Sequence, residues 1–225
     1  MEAVILRSSE FDRVLADSAH VAGEVQMLRE ICKPGMVAMD VGAHGGISTL
    51  VLADAAGPEG SVWAFEPVPE YFDALRMSVA GSGFGNTRTY RLALSDHCCG
   101  VGLYKHGSGS GIVPAEEAER LPVPADTLDH FKERHGIARL DVLSADCEGS
   151  ELDLFEGAAE TLRNDGPRIF CEIHHGYLAD LGLSARDVAR YLTGFGYEVQ
   201  PLRSEDLTAK VALEDCTHIK AIRAD

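Results

Sequence analysis

The sequence predicts a doubly wound α/β fold: a mostly parallel sheet with helices on both faces and an antiparallel strand near its end. Three observations predict it. Short apolar runs that end in acids alternate with segments whose apolar residues recur at intervals of three and four. A glycine-rich turn, Gly42-Ala43-His44-Gly45-Gly46, separates the first such run from the helix that follows it. The last two runs have no convincing crossover helix between them, so they should form an antiparallel hairpin.

Taken in order, residues 8–33 read as one or two amphipathic helices, with Phe11, Val14, Leu15, Val21, Val25, Leu28 and Ile31 on the apolar side. Pro34-Gly35 stops them. Met36–Val41 is a strand buried on both faces except at Asp40, and Ile47, Leu50, Val51 and Ala53 to Ala56 give the spacing of a helix packed on it. Ser61–Phe65 is the second strand and ends in Glu66. Tyr71, Phe72, Leu75 and Val79 mark a helix closed by the glycines of Gly81–Gly85. Thr87–Leu94 alternates as a third strand and runs into Ser95-Asp96. Residues 97–126 form an irregular insertion. Within it Val101–Lys105 reads as a strand, His106–Gly111 as a flexible hinge and Pro122–Pro124 as extended chain, in a place suited to a substrate lid over residues 106–121. Thr127 should cap a short helix. Arg139–Ala145 is the fourth strand, with Asp146-Cys147-Glu148-Gly149 at its carboxyl end. One helix then carries Glu151, Leu152, Leu154, Phe155, Ala158 and Leu162. Pro167–Cys171 is the fifth strand and leads into Glu172-Ile173-His174-His175. Ser184 should cap the helix to Leu192, and Glu198–Leu202 and His218–Ile222 supply the hairpin.

The length of 225 residues suits one domain over 1–225, with 1–35 as a helical N-terminal segment and 97–126 as its insertion. A net charge of −16 argues against a nucleic-acid or anionic-membrane partner. Six cysteines without a CxxC pair suggest buried thiols in a reducing compartment rather than a zinc site or a disulfide frame. No apolar run is long enough to span a bilayer, and the first residues lack a basic leader. The expectation is a cytoplasmic protein with a small-molecule partner; self-association stays open.

A strand, a glycine turn and a helix make a ligand cradle, since glycine lets the backbone approach and the helix start offers unpaired N–H groups. Glu66, about 20 residues past the last glycine, is placed to accept the hydroxyls of a ribose. Asp40, just before the first glycine, would favour a cationic group over a pyrophosphate, which points to S-adenosylmethionine rather than a dinucleotide. Strand ends on this edge face the crevice, so Leu94, Ser95 and Asp96 are candidates to line the adenine. Asp146 and Glu148, two apart at a strand end, are candidates for acid–base chemistry. Glu172 and His174 share one face of the next strand end.

The run DVGAHGGISTL, AFEPVPEYFDAL, RLALSD, DTLDHF, DVLSADCEGSELDLFEGA and RIFCEIH, over roughly residues 36–200, resembles the FkbM family of S-adenosylmethionine-dependent methyltransferases. The resemblance implies a Rossmann-like class I methyltransferase fold with a seven-stranded sheet, and O-methylation of a hydroxyl on a natural product or sugar. By position it places Asp40, Gly42, Ala43, His44, Gly46 and Glu66 on cofactor motifs, and Asp146 and Glu148 on an acidic fourth motif. The chain departs from the family pattern at His44, usually asparagine, at Ser144, usually lysine, and at Cys147, more often valine. An alcohol acceptor calls for a base. His174 is the first candidate, for its near-neutral pKa, and Asp146 the second. Mg²⁺ held by Asp146, Glu148, Glu172 and His174 ranks below a metal-independent reaction. Two other classes stay open: a nicotinamide-dependent oxidoreductase on a similar sheet, and a non-catalytic module that keeps the cofactor fold.

Overall fold

The computed structural model describes residues 19–106, 109–114, 119–203, 205–207, 209 and 211–223. Of the one or two helices expected over 8–33, α1 (Ala19–Ile31) is seen, and the part before residue 19 lies outside the described residues. Then β1 (Val37–Val41), α2 (Ile47–Ala56), β2 (Ser61–Phe65), α3 (Pro69–Ser82) and β3 (Thr87–Tyr90) alternate as expected. β4 (Ala93–Leu94) precedes the insertion, which holds β5 (Val101–His106), β6 (Gly109–Gly111), β7 (Arg120–Val123) and β8 (Ala125–Asp126). The chain continues with α4 (Leu128–Arg134), β9 (Val142–Ala145), α5 (Glu151–Glu156), α6 (Ala159–Asn164) and β10 (Arg168–Glu172). It closes with α7 (His175–Asp180), α8 (Ala185–Gly194), β11 (Tyr197–Leu202) and β12 (His218–Arg223).

Seven strands form one sheet in the order β11-β12-β10-β9-β1-β2-β3. β3, β2, β1, β9 and β10 pair in parallel, and β12 enters antiparallel to both β10 and β11. Side chains alternate across each strand, which sorts the core into two layers. Ala38, Val62, Val142 and Phe170 pack under α1 and α2, while Met39, Val41, Phe65, Leu143, Ala145 and Ile169 pack under the helices that follow the insertion. The same alternation turns Asp40 toward α2. The carboxyl ends of β1, β2, β9 and β10 therefore meet along one edge of the sheet, where the crevice opens.

Four expectations need correction. The alternation of Thr87–Leu94 is not one strand: after Tyr90 the chain leaves the sheet edge, and Ala93 and Leu94 pair instead with Ala125 and Asp126. The segment His106–Gly111 is not only a hinge, because Gly109–Gly111 pairs back on β5 and β7 completes a three-stranded antiparallel sheet; residues 107, 108 and 115–118 lie outside the described set. The helix after Gly149 is two short ones, parted near Gly157, where a Cβ would lie 2.0 Å from the Ser95 carbonyl oxygen. Ser184 precedes α8 without a side-chain cap, and its hydroxyl donates to Asp187 at 2.7 Å instead. Thr127 does cap α4, accepting from the His130 amide at 3.1 Å. Among the described residues no helix is long and apolar enough to cross a membrane.

Candidate active site

Gly42 is where the crevice is tightest. Its φ is +82°, and a Cβ there would lie 1.8 Å from the backbone oxygen of Asp146, so only glycine lets β1 and β9 end side by side. Gly42 and Ala43 both donate to the Phe65 carbonyl at 3.0 Å, which fastens the turn to the end of β2. Glu66 completes the tie: one of its oxygens accepts from the His44 amide at 2.9 Å and the other from the Val68 amide at 2.8 Å. It is buried, and burial carries its pKa up to about 7 against those two amides, helped by the charges of Asp40 and Glu148. Asp40 is buried too and takes hydroxyl hydrogen bonds from Ser48, Thr49 and Ser144; burial still raises its pKa.

Two cavities meet at this turn and share Gly42, His44 and Asp146. The first, about 770 Å³ including its open mouth, is lined by Glu66, Pro67, Val68, Tyr71, Leu92, Ala93, Leu94, Leu103, Ser110 and Glu148. The second, about 1140 Å³ on the same measure, is lined by Glu24 and Leu28 of α1 and by Asp40, Ala43, Ser48, Ser144, Glu172 and His218. Ser110 Oγ is buried without a hydrogen-bond partner on the wall of the first.

The ends of β9 and β10 bring four carboxylates within 4 Å of one imidazole. His174 Nδ1 lies 2.7 Å from Glu151 Oε1, and its Nε2 lies 3.4 Å from Asp146, 3.4 Å from Glu148 and 3.9 Å from Glu172. Burial works against the imidazolium, yet the Glu151 hydrogen bond and the charges of Asp146, Glu151 and Glu148 outweigh it and raise the His174 pKa to about 9. This corrects the expectation of a near-neutral ionisation: His174 is a cation at pH 7. Asp146 keeps half its side-chain surface open to the crevice but is crowded by protein on its other sides. That desolvation, together with the Glu172 charge, holds its carboxyl well above the usual range, with His174 opposing.

A model of the methyltransferase FkbM domain matches residues 40–199. The chain belongs to this family. A structure of an FkbM methyltransferase from Methylobacillus flagellatus superposes with a TM-score of 0.57 at 14% identity, over 95% of this chain and 57% of that one. Fibrillarin from Aeropyrum pernix, solved with natively bound S-adenosyl-L-methionine, gives 0.55 at 16% identity, over 91% of this chain and 76% of that one. A protein-L-isoaspartate O-methyltransferase from Methanococcoides burtonii is 29% identical over 90 residues, 40% of this chain and 42% of its own length. The chain thus spans about half the length of the curated relative it matches, and both structures are like it in fold.

The FkbM motifs and the crevice coincide in part. Asp40, Gly42, Ala43, His44, Glu66, Leu94, Asp146 and Glu148 all line one cavity or the other. Gly46 and Ser95 line neither. Gly46, at φ +97°, precedes α2 and backs onto Leu75, while the buried Ser95 pairs with the Asp126 carbonyl and spends its hydroxyl on Asp96. His174 also lies behind the cavity walls, reached through Asp146 and Glu148. His44 and Glu148 hold left-handed backbone, at φ +46° and +48°. Asparagine and histidine are among the side chains best tolerated there, which accounts for this chain's histidine where the family usually has asparagine. Glu151 and Tyr71 were not singled out as site residues from the sequence. Glu151 carries a usable signal, being an acid on the same helical face as Leu154, Phe155 and Ala158. Tyr71, whose ring lies 4.1 Å from that of His44, carries none beyond its place in an amphipathic helix.

Proposed function

We propose that the protein is an S-adenosylmethionine-dependent O-methyltransferase whose acceptor is a hydroxyl on a small natural product or sugar. The observation that carries this is the pair of cavities joined at Gly42, His44 and Asp146, one with a ribose-accepting acid and an apolar wall, the other with Asp40. The residues suit the cofactor. Each Glu66 oxygen gives one lone pair to an amide and keeps another for a ribose hydroxyl. The unpartnered Ser110 hydroxyl on the same wall is a polar group in need of a ligand. Bound there, the cofactor supplies a methyl group on a positively charged sulfur.

The chain's own residues orient, exclude water and handle one proton. Pro67, Val68, Leu92 and Leu94 offer apolar surface to a base, and Asp40 sets negative potential beside the turn. The acceptor hydroxyl loses its proton to Asp146, the carboxylate common to both cavities and the one whose raised pKa makes it the stronger base. His174, protonated at neutral pH, positions Asp146 and Glu148 rather than acting as the base. The net charge of −16 favours a small neutral or cationic acceptor over RNA. Calorimetry should give saturable binding of S-adenosylmethionine and none of NAD, and Glu66→Ala should weaken it about 30-fold, the ~2 kcal/mol of a charge-assisted hydrogen bond. Radiolabelled methyl transfer to sugars and small alcohols, set beside RNA and protein acceptors, tests the acceptor class. Binding of NAD alone, or label found only in RNA or protein, sinks this reading.

A further inference from the structure

The group of carboxylates around His174 is not arranged as a set of hydrogen bonds. On its Nδ1 side the imidazole makes one, at 2.7 Å, to Glu151, which is fully buried and whose second oxygen has no hydrogen-bond partner. On its Nε2 side Asp146 and Glu148 both stand 3.4 Å away, beyond the ~2.7–2.9 Å of a charge-assisted hydrogen bond. Nε2 thus faces a gap shared by two carboxylate oxygens. The three atoms lie within 4.8 Å of one another. An ion about 2.1 Å from each, with near-octahedral to tetrahedral angles, would set nitrogen and oxygen about 3.0–3.4 Å apart. A buried carboxylate on the far nitrogen is the usual support for a metal-bound histidine, because it fixes the tautomer and the ring plane.

Charge points the same way. Glu151, Asp146 and Glu172 find only histidines as ionic partners among the described residues. The single net positive charge of the methyl donor does not neutralise these acids, and an ion bound at Nε2 would displace to solvent the proton that this nitrogen carries in the free protein. We propose that Asp146, Glu148 and His174 bind a hard divalent cation of the Mn²⁺ or Mg²⁺ type where the two cavities meet, with Glu151 as the positioning residue behind the imidazole. Two carboxylates and one imidazole suit such an ion better than a thiophilic one. The proposal rests on the methyltransferase reading of the same crevice and narrows its substrate: an acceptor with a second oxygen beside the reacting hydroxyl would chelate the ion, and its O–H would ionise more readily. Asp146 contributes one oxygen to the ion and keeps the other for the acceptor proton.

The probe is Mn²⁺ alone, added to chelator-stripped protein and followed by electron paramagnetic resonance and calorimetry. One ion per chain should bind in the micromolar range, and Glu148→Gln and His174→Ala should each weaken it at least tenfold. Circular dichroism would show whether each variant is folded, and Glu148, being partly exposed, is the safer of the two. Absence of saturable binding below about 1 mM, or binding unchanged in folded Glu148→Gln, overturns the site. S-adenosylmethionine binding, measured separately with chelator present, keeps the two conclusions apart. If the cofactor binds and Mn²⁺ does not, the ion is lost and the methyltransferase stands; if the cofactor itself fails to bind, the methyltransferase reading falls.

Discussion

The acids at the ends of β1 and β2 and those at the ends of β9 and β10 border the same crevice, yet the fold treats them in opposite ways. Asp40 and Glu66 are clothed: three hydroxyls bond the first and two amides the second. Asp146, Glu148 and Glu172 are set against one another, with His174 as their common cation. Satisfied buried carboxylates behave as fixed parts of a frame, while mutually repelling ones store a demand for positive charge or for a proton. The first pair lines the cavities as fixed structure, and the second group is the one to which the proposed function assigns the chemistry. Gly42 joins the two, and its replacement should have the largest effect of all. The Cβ of Gly42→Ala would overlap the Asp146 backbone, which cannot rotate away, at a φ that disfavours alanine besides. We expect a loss of more than about 3 kcal/mol of unfolding free energy by urea titration. A folded variant of near-normal stability that merely lost cofactor affinity would mean that the two groups are less rigidly joined than this contact implies.

Next in size is a pH effect that separates the two groups. The His174 pKa is raised from 6.5 to about 9, so the stabilisation from its acids is fully present below pH 6.5 and disappears as pH rises through 9. A shift of that size corresponds to about 3 kcal/mol at most. Glu66, carried up from 4.5 to about 7 by burial, adds a fall in stability as pH rises through that lower window. Stability should therefore decline in two stages, and His174→Ala should flatten only the one between pH 7 and 9. A melting profile with the same slope in both proteins would show that the cluster does not hold the imidazolium.

Much of the frame group was legible in the sequence, because a glycine turn and an acid at the next strand end are local in the chain and need few alternatives weighed. The mostly parallel sheet and the final hairpin followed from alternation and from a missing crossover. The cluster was harder. Glu172 and His174 could be placed on one face, but the burial of Glu151 and the convergence of four acids depend on how β9, β10 and α5 pack, and no local pattern carries that. The near-neutral histidine expected from type alone was moved by those neighbours. The break after Tyr90 was hidden because the alternation continues through Leu94 while the hydrogen-bond partner changes from β2 to β8. Ser95 falls outside both cavities for the same reason, since the chain beyond Leu94 follows β8 rather than the sheet edge that faces the crevice.

The smallest expected effect concerns the insertion, which stands over both groups. Leu103 and Ser110 face the cavity that holds Glu66, and Gly111 touches the acidic loop closely enough that a Cβ would lie 2.3 Å from the Glu148 carbonyl oxygen. Lys105 reaches across to Glu70 of α3 at 2.6 Å. Both side chains are well exposed, so the pair adds little to global stability. Its effect should be local, on how often β5 and β6 lift from the crevice. Glu70→Gln should leave the melting temperature unmoved and hasten hydrogen exchange over Val101–His106 in the free protein, whereas bound S-adenosylmethionine should restore protection there through the wall contacts. Equal exchange in both proteins, with no response to the cofactor, would make the insertion a fixed wall rather than a lid. The frame and the cluster would then be open to solvent to the same degree throughout turnover, and water would have to be excluded by the acceptor itself.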